Sequence, residues 1–200
     1  VLELSSFQLL TMTRSPHIAV VTNLSPNHLD VHKDYAEYVD AKANIFTHQA
    51  AGDIAVFNAD NEETCAFARE ASASVRMFSR QGTVERGTYL GLDYPGGQAI
   101  WTANEKGRRC VLPLADIKLP GIHNVENYMA AIAAVDGLVP YEVIREFAGN
   151  FGGVEHRIEL IRELDGVRYY NDSIASSPSR TIAGLRSFPE KLVLIAGGKD

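Results

Sequence analysis

Over residues 1 to about 150, short unbroken apolar runs alternate with stretches patterned as helices, which restricts the fold more than any other feature. Residues 20–24 and 54–58 read as buried strands, the first continuing the run Ile18-Ala19-Val20-Val21. Between them, residues 34–48 read as a helix with an apolar stripe through Tyr35, Tyr38, Val39, Ile45 and Phe46. Strand and helix in turn predict an α/β fold, a largely parallel sheet flanked by helices. Residues 83–119 break the pattern. Tyr89-Leu90-Gly91-Leu92 and Ala99-Ile100-Trp101-Thr102 read as a hairpin around Pro95-Gly96-Gly97, with a further β-like stretch at 110–114, giving a smaller β layer beside the main sheet.

Residues 124–138 place Val125, Tyr128, Met129, Ile132 and Val135 on one helical face, and Pro140 opens a short amphipathic helix. A glycine-bearing hinge at 149–153 divides the chain into a domain of residues 1–151 and the start of a second at 152–200. In the second, Ile158-Glu159-Leu160-Ile161 and Val167-Arg168-Tyr169-Tyr170 pair around Asp165-Gly166, residues 178–186 form a helix, and Leu192-Val193-Leu194-Ile195 forms a strand, the opening of a Rossmann-like unit. With 200 residues and 46% hydrophobic content, the chain can bury a large core.

A net charge of −6 argues against a nucleic-acid or anionic-membrane surface, so an anionic nucleotide would need local positive charge or a metal. Cys65 and Cys110 lack zinc-site spacing and suit a reducing cytoplasm, where the protein is expected to reside. No apolar run reaches membrane-spanning length and no signal peptide is visible.

The chemistry-bearing residues concentrate at the front: Glu3-Leu4-Ser5-Ser6-Phe7-Gln8, residues 23–28 and Lys42. Glu3 ends the run Val1-Leu2 and His28 follows residues 18–21, so both are expected where strands leave the sheet, the edge at which open α/β folds bind ligands. Stepping three or four residues along the helical stripe lands on Lys42, which therefore faces inward. A desolvated amine favours its neutral form and can take up carbon dioxide as an anionic carbamate. The alternative is a lysine whose stem covers apolar surface while its head reaches water. His28, Asp30 and His32 alternate as ligands on a strand would, which admits a metal-dependent hydrolase. Asn124 and Asn127, one helical turn apart, suit a nucleobase edge or a cap and a solvated first turn.

Glu3 to Gln8, Asn23-Leu24-Ser25-Pro26-Asn27-His28-Leu29-Asp30 and Ala41-Lys42-Ala43-Asn44-Ile45-Phe46 resemble the Mur ligase family of peptidoglycan synthesis. Gly121-Ile122-His123-Asn124-Val125-Glu126-Asn127, and Glu155-His156-Arg157 with Tyr170-Asn171-Asp172-Ser173, follow in that family's order. Ser-Ser-Phe-Gln after the glutamate looks like the D-glutamate-adding branch and points away from folylpolyglutamate synthetase, the nearest enzyme rival. The resemblance implies a Mur ligase central domain and ATP-dependent amide formation between UDP-N-acetylmuramoyl-L-alanine and D-glutamate through an acyl phosphate, in cell-wall synthesis. It implies two Mg2+ ions, one held by Glu3 and one by His28 and a carbamylated Lys42, with His28 and Lys42 as the catalytic pair. Ser5 and Gln8 would touch the muramoyl substrate, Asn124 and Asn127 the adenine, Arg157 the phosphates and Asp172 the ribose. That division suits phosphoryl transfer, which needs positioning and charge neutralisation above all.

The chain departs from the family at several points. It has no G-x-x-x-x-G-K-[ST] phosphate loop, so it is expected to be a fragment lacking the N-terminal uridine-binding domain and that loop, inactive alone. A non-catalytic fold remnant is the corresponding third reading. Ile174 stands where many relatives carry lysine, and Asn27 where they often carry aspartate. Isoleucine binds neither carboxylate nor phosphate, so any role of that position lapses.

Overall fold

The computed structural model describes residues 1–25, 32–92, 97–176 and 178–197. Helix α1 (Ser6–Leu10) precedes strand β1 (Ile18–Val21), helix α2 (Tyr35–Thr47), strand β2 (Ile54–Asn58), helix α3 (Glu62–Glu70) and strand β3 (Ser74–Ser79). Strands β4 (Gly87–Leu92), β5 (Gln98–Asn104) and β6 (Gly107–Pro113) follow, then helices α4 (Ile122–Val135) and α5 (Tyr141–Asn150). The chain continues through β7 (Glu159–Leu164), β8 (Val167–Asn171) and α6 (Pro178–Leu185).

β1 to β6 form one sheet in sequence order. Pairing is parallel from β1 to β4 and antiparallel from β4 to β6. The smaller β unit expected at 83–119 is thus the antiparallel half of the same sheet. Strand alternation explains the layers. Val56 points to a core shared with Met129, Ile132 and Ala133 of α4, while Ala55 and Phe57 point to the opposite core with Tyr38, Phe46 and Phe67 from α2 and α3. Covered on both faces, β2 has no polar residue before Asn58, as a parallel strand requires.

Local chemistry sets the helix starts. Asp34 caps α2 by accepting from the Glu37 N–H at 2.9 Å, and Asn61 caps α3 by accepting from the Thr64 N–H at 3.1 Å. The Asn61 amide also donates to the Leu24 carbonyl at 3.0 Å, tying the segment after β1 to the loop after β2. From β3, Arg76 reaches across to the carbonyls of Ala133 and Asp136, at 2.7 and 3.1 Å, satisfying acceptors at the end of α4.

β7 and β8 pair as a separate two-stranded hairpin. Its turn has Asp165 at φ 50° and Gly166 at φ 78°, the mirror-image geometry that Asp-Gly favours. Two expected strands are corrected. Among the described residues Val1-Leu2 and residues 192–195 pair with no strand, and Val1, Leu2, Val193 and Ile195 are exposed. An apolar run becomes a strand only when a neighbour takes its backbone groups, and neither run has one among the described residues. No helix among those residues is long and apolar enough to cross a membrane.

Candidate functional site

Two clusters collect the expected site residues. The first joins the front of the chain to α2. Lys42 is half-buried, and its Nζ donates to the Leu4 carbonyl at 3.4 Å. Burial pushes its pKa down from the ordinary 10.5, while the nearby Glu3 carboxylate pulls it back up. Glu3 itself is exposed and stands on irregular backbone, not at a strand end. α1 is pinned against α2 by Asn44, whose amide donates to the Leu9 carbonyl at 3.0 Å.

Ser5 and Gln8 are both exposed and bind each other. The Ser5 N–H donates to Gln8 Oε1 at 2.8 Å, and the Gln8 N–H donates to Ser5 Oγ at 3.4 Å. This is a capping box, and it orders the short α1 next to Glu3. Next to it, His32 is 5% exposed, stacked on Phe7 and edge-on to Tyr38. Its Nε2 meets Ser6 Oγ at 2.8 Å and its Nδ1 lies 3.5 Å from Glu37. Buried, bonded to Ser6 and packed against two aromatic rings, His32 serves as a packing residue, which argues against the metal ligand of the hydrolase reading. His28 and Asp30 lie outside the described residues. Among the described residues no group of three or more His, Cys, Asp or Glu side chains could hold a metal ion.

The second cluster surrounds a cavity of about 410 Å³ between α4 and α5. Leu119, Ile132, Val135, Val143 and Phe147 form apolar wall, and Asn124, Asn127 and Arg157 contribute polar lining. The cap of α4 is Gly121, without a side-chain hydrogen bond, so Asn124 is not the cap that its position allowed. Its Nδ2 instead donates to the Pro120 carbonyl at 2.7 Å, while Asn127 Nδ2 reaches Asn124 Oδ1 at 3.5 Å.

Arg157 sits between His156 and Ile158, which have positive φ of 66° and 46°. A β-branched residue there is strained and persists only when its surroundings hold it. Asp172 does so by accepting the Ile158 N–H at 3.1 Å. A second hold comes from His156, whose Nδ1 meets the Asn171 amide at 2.8 Å and whose carbonyl accepts from Ile174 N at 3.2 Å. Asp172 thus holds the Arg157 loop, and its other oxygen faces Gly184 of α6. Ile174 is exposed and contributes through its backbone, with its N–H on the His156 carbonyl and its own carbonyl accepting from the Ser176 N–H at 2.9 Å.

Sequence reasoning passed over His123 and the pair Arg80–Glu126. Arg80 Nε donates to Glu126 Oε1 at 2.8 Å, and the Arg80 N–H donates to Asp60 at 2.7 Å. His123 and Glu126 share a face of α4 at a spacing of three and lie inside the segment 121–127 noted for its resemblance, two signals that could have flagged them.

A family model described as the Mur ligase middle domain matches residues 1–135. The chain is 57% identical over all 200 residues to the UDP-N-acetylmuramoylalanine--D-glutamate ligase of Acetivibrio thermocellus, and 53% identical to that of Clostridium novyi. It spans 42% of the length of each. Among solved structures, UDP-N-acetylmuramate-alanine ligase from Thermotoga maritima aligns with a TM-score of 0.68 at 22% identity, covering 92% of this chain and 40% of that one. Mycobacterium tuberculosis folylpolyglutamate synthase complexed with ADP aligns at 0.60 and 22%, covering 86% and 38%. These structural likenesses bear on the fold.

Proposed function

The chain belongs to the Mur ligase family, and from that premise we propose that it is part of an ATP-dependent ligase that joins D-glutamate to UDP-N-acetylmuramoyl-L-alanine in the cytoplasm. One observation carries this reading. The match to relatives bearing that name runs the whole length of the chain, so it takes in both the Glu3–Lys42 corner and the Asn124–Arg157 cavity. Residues 1–151 act as the central ATP-binding domain and residues 152–200 as the start of the C-terminal domain.

In this reading the two clusters divide the work. The cavity takes the adenine: apolar walls accept the ring faces, and the amides of Asn124 and Asn127 meet the polar edge. Arg157 offers a forked cation to the phosphates, and Asp172 holds the loop that presents it while facing the ribose. Ser5 and Gln8 border the acceptor substrate through the ordered turn of α1. At the other cluster, Lys42 as an ammonium would repel a metal ion, whereas a carbamate there would add an anionic oxygen beside Glu3. Glu3 and a carbamylated Lys42 therefore suit Mg2+, with Glu3 holding one ion and Lys42, together with His28, a second. When bound, Mg2+ supplies charge neutralisation on the phosphates. Burial of Lys42 raises its neutral fraction, the form that reacts with carbon dioxide.

The test is a graft in which this chain replaces the matching 200 residues of the Acetivibrio relative. Phosphate release that requires ATP, UDP-N-acetylmuramoyl-L-alanine and D-glutamate, and is absent with L-glutamate, is the expected result. A folded graft without that activity overturns the reading. With 13C-labelled bicarbonate, a carbamate signal present in the graft and lost in Lys42→Met identifies the modification. Its absence at high bicarbonate removes carbamylation from the scheme.

A further inference from the structure

We propose that His123 is a positioning residue, which sets Arg157 and Asp172 at their working distance from Asn124 and Asn127. This deepens the nucleotide reading above and rests on it.

His123 is the second residue of α4 and is half-buried at the seam between the sheet unit and the β7–β8 unit. Its ring folds back over Gly121. A Cβ on Gly121 would come within 2.7 Å of His123 Cε1, and Ser187, just past α6, crowds the same spot. The imidazole thus touches the start of α4 and faces the end of α6. On its own helix it is followed by Glu126, which is fixed by Arg80, itself held to Asp60 at the sheet edge. From the other unit, α6 joins the two sides: Ser187 just past its end meets the His123 corner, and Asp172 Oδ2 abuts Gly184 within it, which sets Asp172 and Arg157 on the side of the ring away from the sheet. The facing charged groups are therefore Glu126 on α4, Asp172 after β8 and Arg157 on the loop before β7.

Burial disfavours the imidazolium, and so does Arg157, whereas Glu126 and Asp172 favour it, with a net lowering from the ordinary 6.5. His123 is thus neutral at neutral pH. Protonation at lower pH draws the Asp172 carboxylate toward α4 and repels Arg157. Because Asp172 accepts the Ile158 N–H, a shift of Asp172 moves the strained turn that carries Arg157. The ring thereby couples helix α4, with its two asparagines, to the loop bearing the phosphate contact.

Two measurements test this. In this chain alone, NMR titration of the His123 ring should move down by about 0.5 pH in Asp172→Asn and up by a similar amount in Arg157→Gln. A midpoint unchanged in both variants overturns the proposal, whatever becomes of the ligase reading. In the graft, His123→Ala should raise the KM for ATP about tenfold and leave kcat within about threefold. His123→Gln should recover most of that KM at pH 8 but lose the rise in KM that the unaltered graft shows as pH falls toward 5.5. A KM for ATP unchanged in His123→Ala overturns the positioning role. A graft that never turns over sinks the ligase reading, and the titration still decides the coupling.

Discussion

Replacing Gly121 with alanine tests the seam at which α4, His123 and Ser187 meet. Gly121 has φ +97° and ψ 139°, a region that is essentially reserved for glycine and costs another residue about 1–3 kcal/mol. The added Cβ would also meet Ser187 Oγ and the His123 ring, where Cε1 is 2.7 Å away, an overpacking worth about 1–3 kcal/mol. Gly107 supplies the control: its φ is +108°, and a Cβ there meets nothing within 4 Å. Gly107→Ala should therefore lose only the strain, and Gly121→Ala the strain plus the collision, about 2–6 kcal/mol in all. Urea unfolding followed by circular dichroism reads both values, and for a chain of this size the larger loss lowers Tm by about 4–24 °C. Adding Ser187→Gly should return about 1 kcal/mol to the Gly121 variant. Equal losses at Gly107 and Gly121, or no recovery with Ser187→Gly, would refute the close approach.

Other perturbations have equally definite outcomes. Burial holds the folded pKa of Lys42 below 10.5, so the unfolded chain binds more protons between the two values and stability rises with pH across that window. Lys42→Met should flatten the rise, and an unaltered slope in urea midpoints measured from pH 7 to 10 would contradict the burial. Asn61→Ala removes the α3 cap and the hydrogen bond to Leu24, for a loss of about 2 kcal/mol. A change below about 0.5 kcal/mol on chemical denaturation would mean that water replaces both contacts. Phe57, fully buried between α2 and α3, should cost about 3–5 kcal/mol when cut to alanine, and a smaller loss would show that the helices close over the gap.

The parts of this fold readable from sequence were those set by neighbours close along the chain. The stripe that turns Lys42 inward is a local period, and the Asp165-Gly166 turn is a local backbone preference. Val1-Leu2 and residues 192–195 misled because apolarity marks a segment that could pair, whereas pairing depends on a partner elsewhere. Ser5 and Gln8 carried a capping signature visible in their spacing, yet read by resemblance they suggested substrate contacts alone; the hydrogen bonds add a reason for that spacing. His32 looked like a ligand in alternation with His28 and Asp30, and its burial against Ser6 and Phe7 depends on α1 folding back from 26 residues away. His123 was missed for a similar reason, because Arg157, Asp172 and Ser187 converge on it from distant positions.

The bare stretch Leu192-Val193-Leu194-Ile195 also matters to anyone who purifies this chain. Four consecutive apolar residues, two of them β-branched, without charge or proline inside them and with Val193 and Ile195 each 94% exposed, are a ready template for intermolecular strand addition. Glu190 and Lys191 adjoin one flank, whereas on the other the first charges, Lys199 and Asp200, come only after Ala196-Gly197-Gly198. Concentrated samples should therefore associate slowly through this segment and stain with amyloid dyes. A charged replacement at Val193 should keep them dispersed without touching either cluster.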